Sequence, residues 1–189
     1  MISPSAVEAT RLRHALVDQL VSDGHVRSPA VETAMRSVPR HQCVPLASLE
    51  SAYGQTILSI KHTPDGTSLS CASAPSIVAT MLEQLEAQPG QRVLEVGAGT
   101  GYNAALLGHL VGPAGHVTTV DVDEEVVKHA RASLAAIGSP NVTVLCCDGA
   151  LGHPAGAPYD RIIATVSANG VPQAWIDQLA PGGRLLLPL

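Results

Sequence analysis

The chain has 189 residues and a mass of 19.4 kDa, the size of one ordinary domain with a full core. Its 46% hydrophobic and 14% charged content excludes a disordered chain. A net charge of −5 without a basic cluster, and 2% aromatics with no Phe, exclude an electrostatic or stacking footprint for nucleic acid.

No apolar run reaches membrane-spanning length and no secretory leader opens the chain, so no membrane partner is expected. Cys43, Cys71, Cys146 and Cys147 form no C-x-x-C pair, and a disulfide between the adjacent Cys146 and Cys147 would be badly strained. Neither a zinc site nor a disulfide framework is expected, and the composition suits a reducing cytoplasm.

In chain order, the spacing of Leu12, Leu16 and Leu20 predicts a helix over residues 5–23, ended by Gly24. Ser28-Pro29 reads as an N-cap with proline at the first helical position, and Val31, Ala34, Met35 and Val38 form the apolar stripe of a short helix closed by Pro39. Residues 40–70 read as loops with a short hairpin, marked by Pro64-Asp65-Gly66. Ile77, Val78, Met81, Leu82 and Leu85 predict a strong helical face. Strands then follow at 93–96, 116–121, 142–146, 160–165 and 184–188. Helices fill the gaps around 104–110, 124–137 and 172–179. Alternating apolar strands and helices predict an α/β fold, a doubly wound parallel sheet covered on both faces, with ligands at the carboxyl ends of its strands.

The first strand runs into Gly97-Ala98-Gly99-Thr100-Gly101, where a strand-to-helix turn belongs. Its spacing is G-x-G-x-G, whereas a pyrophosphate loop wants G-x-G-x-x-G. Asp121 ends the second strand, where a carboxylate can accept from both ribose hydroxyls. Together these predict a nucleoside ligand without a pyrophosphate. The plainer alternative is a tight turn, followed by Asp121, Asp123, Glu124 and Glu125 complementing a helix N-terminus.

Val93-Leu94-Glu95-Val96-Gly97-Ala98-Gly99-Thr100-Gly101-Tyr102 resembles motif I of class I S-adenosylmethionine-dependent methyltransferases. Residues 41–189 resemble the protein-L-isoaspartate O-methyltransferase family. The marks include Arg40-His41-x-Cys43-Val44-Pro45, Ser73-Ala74-Pro75, Asp148-Gly149-Ala150-x-Gly152, Ala157-Pro158-Tyr159-Asp160 and Pro181-Gly182-Gly183-Arg184-Leu185. The two N-terminal helices fit that family as well. The resemblance implies a Rossmann-like core over residues 73–189, preceded by helices and a substrate-loop region over 1–72 in one structural unit. It implies S-adenosylmethionine as cofactor, S-adenosylhomocysteine as product, and a peptide or protein substrate bearing aspartate or isoaspartate.

It also implies a cofactor-binding set: Glu95, Val96, Gly97, Ala98, Gly99, Thr100, Tyr102, Asn103, Asp121, Val122, Asp148, Gly149 and Thr165, with no metal ligand. Glu95, Gly97 and Gly99 would line the methionine and ribose end, Asp121 would hold the ribose, and Asp148 with Gly149 would meet the adenine. Unaided, Asp148-Gly149 reads as a plain turn after a strand.

The implied reaction is methyl transfer to a carboxylate. A carboxylate is ionised at pH 7 and needs no general base, so few catalytic side chains are expected and the eight histidines are scattered. The chain must align the reactants and exclude water. The family carries one hydroxyl near the acceptor. Ser73 matches that position and also reads as the N-cap of the following helix. Ser70 is its rival, because Leu69-Ser70-Cys71-Ala72-Ser73-Ala74-Pro75 replaces the family's Thr-Ile-Ser-Gln-Pro. Gly54-Gln55-Thr56 mimics part of that motif but lies too early.

Two further departures are Thr165-Val166-Ser167-Ala168, in place of a Thr-Ala-Ala type stretch, and an end at Leu189 where the family fold continues into an antiparallel hairpin. A missing C-terminal segment is therefore expected. The Ser-rich loop resembles homologues that tailor ribosomally made peptides (lanthipeptide or graspetide type) by way of an aspartimide. Repair and tailoring both stay open, beside a non-catalytic module that keeps the cofactor fold. A nicotinamide oxidoreductase is disfavoured by the glycine spacing.

Overall fold

The computed structural model describes residues 4–168 and 170–188. Helix α1 (Pro4–Ser22) buries Leu16, Val17 and Leu20, the expected i, i+4 stripe. Helix α2 (Pro29–Ser37) starts as predicted: the Ser28 hydroxyl accepts from the Val31 amide at 3.3 Å, and Pro29 fills the first turn. The Ser28 amide donates to Glu83 Oε1 at 2.8 Å, which ties this cap to a later helix.

Residues 40–72 hold more structure than their sequence suggests. A 3-10 turn (Arg40–Gln42) and a short helix α3 (Leu49–Ala52) lead into an antiparallel hairpin of β1 (Leu58–His62) and β2 (Ser68–Ala72). Its turn is the one marked by Pro64-Asp65-Gly66, with Gly66 at φ +89° and the Thr63 amide bonded to Thr67 O at 2.8 Å.

Next come α4 (Pro75–Leu85), β3 (Arg92–Val96), α5 (Tyr102–Val111), β4 (His116–Asp121), α6 (Glu124–Ile137), β5 (Val142–Cys146), β6 (Tyr159–Ala164), α7 (Gln173–Gln178) and β7 (Leu179–Leu186). As expected, the five later strands form one parallel sheet; their order in it is β5-β4-β3-β6-β7. The chain reverses direction across the sheet between β3 and β6, which opens a crevice beyond their carboxyl ends.

Strand alternation divides the core. Val93, Val117, Val144 and Ile163 pack with α1, α2, α4, α5 and α6 in one large cluster. Leu94, Val96, Val120, Ile162 and Ala164 pack under Trp175 of α7 on the other face. The large cluster runs from Ala9 to Ile163, so the N-terminal helices and the sheet share one interior.

Three expectations are corrected. Ser73 is not a helix cap: Ala74 holds the N-cap position of α4 without a side-chain cap bond, one residue further along. Ile77 does not join the buried face of α4. That face is Pro75, Val78, Ala79, Leu82 and Leu85, whereas Ile77 is 55% exposed because it and Met81 turn toward the crevice. The last strand begins at Leu179, before the predicted 184. Leu179 already pairs with Tyr159, and the ladder then skips Pro181-Gly182-Gly183 before resuming at Arg161–Arg184. Pro181 lacks a ladder donor and Gly182 sits at φ +75°, so the strand bulges there. The segment expected beyond Leu189 lies outside the described residues.

Candidate active site

The turn after β3 is shaped by missing side chains. Gly97 has φ +100°, and a Cβ there would lie 2.5 Å from Val166 Cγ1 and 2.8 Å from Thr165 Oγ1. Its amide donates to Val120 O at 2.8 Å. Thr165 holds the same turn from the other side, its hydroxyl donating to Gly97 O at 2.8 Å and lying 3.2 Å from Val96 O. Gly101, at φ +79°, lets the start of α5 approach Ala130 of α6.

Asp121 ends β4 beside this turn. Its Oδ2 accepts from the Gly99 amide at 3.3 Å and its Oδ1 from the Asp123 amide at 3.2 Å. Each oxygen keeps a lone pair for a further donor. Glu95 is 1% exposed. Its Oε1 accepts from Asn103 Nδ2 at 2.7 Å; Oε2 is buried without a partner at hydrogen-bonding geometry, with the Thr119 hydroxyl of the neighbouring strand as its nearest polar influence. Burial pushes its carboxyl up to about 7.

These groups line one cleft with two lobes. The first encloses about 480 Å³ and is bounded by Ser70, Ser73, Glu95, Gly97, Ala98, Gly99, Thr100, Tyr102, Asn103, Asp121 and Thr165. The second encloses about 690 Å³ and is bounded by Val96, Gly97, Asp121, Val122, Asp148, Gly149 and Trp175. Gly97, Asp121, Val166 and Ser167 form the shared rim. Every residue expected at the cofactor or acceptor site therefore lines one lobe or the other, and Gly54, Gln55 and Thr56 line neither.

In the second lobe Val122 stands 75% exposed, an apolar wall facing the cleft. Asp148 Oδ1 caps the turn that follows by accepting from the Ala150 amide at 2.9 Å, so the plain-turn reading is realised and its other oxygen is left over. Gly149 has no room for a Cβ, which would lie 2.5 Å from Val96 Cγ1, and its carbonyl accepts from Trp175 Nε1 at 2.8 Å.

On the first lobe's outer side, the hairpin end brings Leu69, Ser70, Cys71 and Ser73 over the glycine turn. Among the described residues no other protein group engages the Ser70 or Ser73 hydroxyl. Val166 and Ser167, in the stretch that departs from the family's Thr-Ala-Ala type, line both lobes, while sequence reasoning missed Arg40 and Trp175 as wall residues. Trp175 carried a signal as the single tryptophan; Arg40, read only as part of a family motif, is brought to the wall by packing. Among the described residues no His/Cys/Asp/Glu group is arranged to hold a metal ion. Nor is any helix long and apolar enough to cross a membrane.

A cradle without side chains, a carboxylate pair at the strand ends and an orphaned buried carboxylate oxygen fit a cationic nucleoside. A parallel sheet with this cleft at its reversal point defines a class I S-adenosylmethionine-dependent methyltransferase. The family model "Protein-L-isoaspartate(D-aspartate) O-methyltransferase (PCMT)" matches residues 11–189. The chain belongs to the protein-L-isoaspartate (D-aspartate) O-methyltransferase family, whose activity is S-adenosylmethionine-dependent methylation of isoaspartyl carboxylates in proteins.

It is 42% identical over 177 residues to the protein-L-isoaspartate O-methyltransferase of Ignicoccus hospitalis, covering 94% of this chain and 81% of that one. It is 44% identical over 180 residues to that of Methanopyrus kandleri, covering 95% and 77%. A solved protein-L-isoaspartate O-methyltransferase superposes with a TM-score of 0.85 at 33% identity, over 93% of this chain and 55% of that chain. A Plasmodium falciparum structure, a putative protein-L-isoaspartate O-methyltransferase in complex with S-adenosyl-L-homocysteine, shares the fold with a TM-score of 0.80 at 21% identity, covering 93% and 83%.

Proposed function

We propose that this chain methylates an aspartyl-type carboxylate within the two-lobed cleft, residues 73–189 supplying the cofactor side and residues 1–72 most of the acceptor side. The observation that carries the reading is one continuous cleft. It has Glu95 and Asp121 at the strand ends and the free Ser70 and Ser73 hydroxyls across from them. S-adenosylmethionine, when bound, supplies a methyl group already activated on a sulfonium.

The chain's own groups do the rest. Asp121 accepts from the ribose hydroxyls. Glu95 Oε2 takes up a donor from the methionine end, which relieves its orphaned state. Val96, Val122, Asp148 and Gly149 enclose the base. Ala98, Gly99, Thr100, Tyr102, Asn103 and Thr165 keep the turn in its shape. The hairpin end excludes water from the acceptor carboxylate, and Ser73, with Ser70 as its rival, donates to one carboxylate oxygen while the other faces the methyl. No proton has to move, since the acceptor is already ionised. In the ester that results, the neighbouring backbone nitrogen attacks the carbonyl, a succinimide closes and methanol leaves.

A finer reading is tailoring of an ordinary aspartate in a constrained ribosomal peptide. It rests on the Ser-rich hairpin end, which presents two hydroxyls where one suffices. The four free cysteines suit work in a reducing cytoplasm.

The test offers S-adenosylmethionine with a linear isoaspartyl peptide and, separately, a cyclic L-aspartyl peptide, followed by mass spectrometry. Gain of one methyl and then loss of methanol on the first supports repair; on the second alone it supports tailoring. S-adenosylhomocysteine binding without any transfer would leave a binding module. Ser73→Ala is expected to lower turnover about tenfold or more with S-adenosylhomocysteine affinity unchanged, the loss of one hydrogen bond to a charged group. Unchanged turnover moves the role to Ser70.

A further inference from the structure

Arg40 is 1% exposed and is among the bulkiest fully buried side chains of the described residues, yet it lines the first lobe. A buried cation is costly unless paired. Its Nε donates to Ala52 O at 2.9 Å and its Nη2 to Ser73 O at 2.9 Å. The guanidinium carbon sits 5.0 Å from the centroid of the Tyr102 ring. Among the described residues none of its partners is a carboxylate. Tyr102, Cys43 and Tyr53 are the ionisable groups around it, and all three stay neutral at pH 7: burial pushes the Cys43 thiol up to about 12 and raises both phenols. The positive charge is held by two carbonyls and a ring face and is not compensated by any anion among the described residues.

The acidic groups of the cleft lie on another side. Tyr102 and Asn103 are successive residues of α5 and point about 100° apart: Tyr102 lies under Arg40, while Asn103 reaches Glu95. One end of the lobe thus holds the carboxyls of Glu95 and Asp121, and the other carries a lone cation. The reaction brings together two reactants of opposite charge, a sulfonium and a carboxylate. Glu95 and Asp121 suit the first, and Arg40 suits the second. The guanidinium fork spans two carbonyls from separate segments while keeping its charge.

We propose that Arg40 is a positioning residue for the acceptor. Its uncompensated charge draws the carboxylate into the lobe, and its bond to the Ser73 carbonyl fixes the residue whose hydroxyl meets that carboxylate. The proposal rests on the methyltransfer reading and identifies what selects a charged acceptor.

The test uses the chain loaded with S-adenosylhomocysteine and calorimetry with two ligands: an isoaspartyl hexapeptide, and the same peptide with isoasparagine in its place. The wild type is expected to bind the charged peptide about tenfold tighter or more, the worth of one charge-assisted interaction. Arg40→Gln should bring the charged peptide down to the level of the amide, with affinity for the amide peptide and for S-adenosylhomocysteine unchanged. A purely structural role would weaken both peptides alike and leave their ratio intact, which overturns the proposal. Weakened S-adenosylhomocysteine binding would assign the charge to the cofactor's carboxylate and overturn it too.

Should Arg40→Gln fail to fold, Arg40→Lys decides: its ammonium keeps the charge on one compact nitrogen, so a severalfold or greater preference for the charged peptide should remain, and its complete loss counts against the proposal. Equal binding of the two peptides by the wild type overturns it without any variant. Methyl transfer by the wild type is measured separately, so transfer with an unchanged ratio in Arg40→Gln sinks only the role of Arg40.

Discussion

The two walls of the cleft are built differently. The cofactor wall is mostly backbone: the ends of β3 and β4, a turn with no room for a Cβ at Gly97, and the Asp121 carboxylate fastened to the Gly99 amide. The acceptor wall is held by side chains reaching across the chain. Arg40 ties the 3-10 turn to Ser73. His129 Nε2 donates to Cys43 O at 2.8 Å. Lys61 Nζ on the hairpin lies 2.6 Å from Asp123 Oδ2 and 2.5 Å from Glu125 Oε2, at the start of α6. Backbone suits a ligand that never varies, because it is rigid and costs no side-chain entropy to order. Side-chain latches suit a wall that has to open and close.

The largest break in that contrast is expected at Gly97. Alanine there adds a Cβ 2.5 Å from Val166 Cγ1 at φ +100°, a strain of order 1–3 kcal/mol before the overlap is counted. S-adenosylhomocysteine affinity should fall by about 100-fold or more in calorimetry, with the far-ultraviolet dichroism unchanged.

Next is Glu95. Its folded pKa of about 7 lies above the ordinary 4.5, because burial disfavours the charge. Between those values the folded state binds more protons than the unfolded one, so the free chain loses stability as pH rises from about 4.5 to 7 and no further above. Glu95→Gln keeps the acceptor for Asn103 and removes the charge. Denaturant melts should show it equal to the wild type near pH 4 and more stable at pH 8, by up to about 3 kcal/mol. Equal stability at pH 8 would mean that Oε2 is not orphaned in solution.

Asp121→Asn should weaken S-adenosylhomocysteine by about 10- to 100-fold, the worth of hydrogen bonds to a charged group, with isoaspartyl peptide affinity in the loaded chain preserved. The smallest effect is Lys61→Ala. Its partners are solvated, so the latch contributes little to overall stability. Stopped-flow release of S-adenosylhomocysteine should quicken severalfold at low salt and match the wild type at high salt. A change in melting temperature without a change in release rate would make Lys61 a surface ion pair only.

Legibility in the sequence followed the same division. The glycine turn, Asp121 and the alternation of strands and helices could be read because each depends on residues near one another in the chain. Ser73 was misread as a cap because the helix starts one residue later, and the sequence Ser73-Ala74-Pro75 permits either register. Ile77 was misplaced because periodicity marks a helical face as apolar without saying whether it meets the core or the mouth of a crevice. Arg40 read only as part of a family motif. Its burial follows from α3 and the Ser73 segment closing over it, contacts 12 and 33 residues away.

What the sequence by itself determined is the parallel α/β scaffold and the nucleoside cradle. Hydrophobic period and missing Cβ atoms act locally and leave the backbone little choice. What only the tertiary structure decided is the acceptor side: which hydroxyls stand free, which cation is left uncompensated and which latch holds the hairpin. Those depend on electrostatics and packing between segments far apart in the chain, and no spacing of letters encodes a distance across the fold.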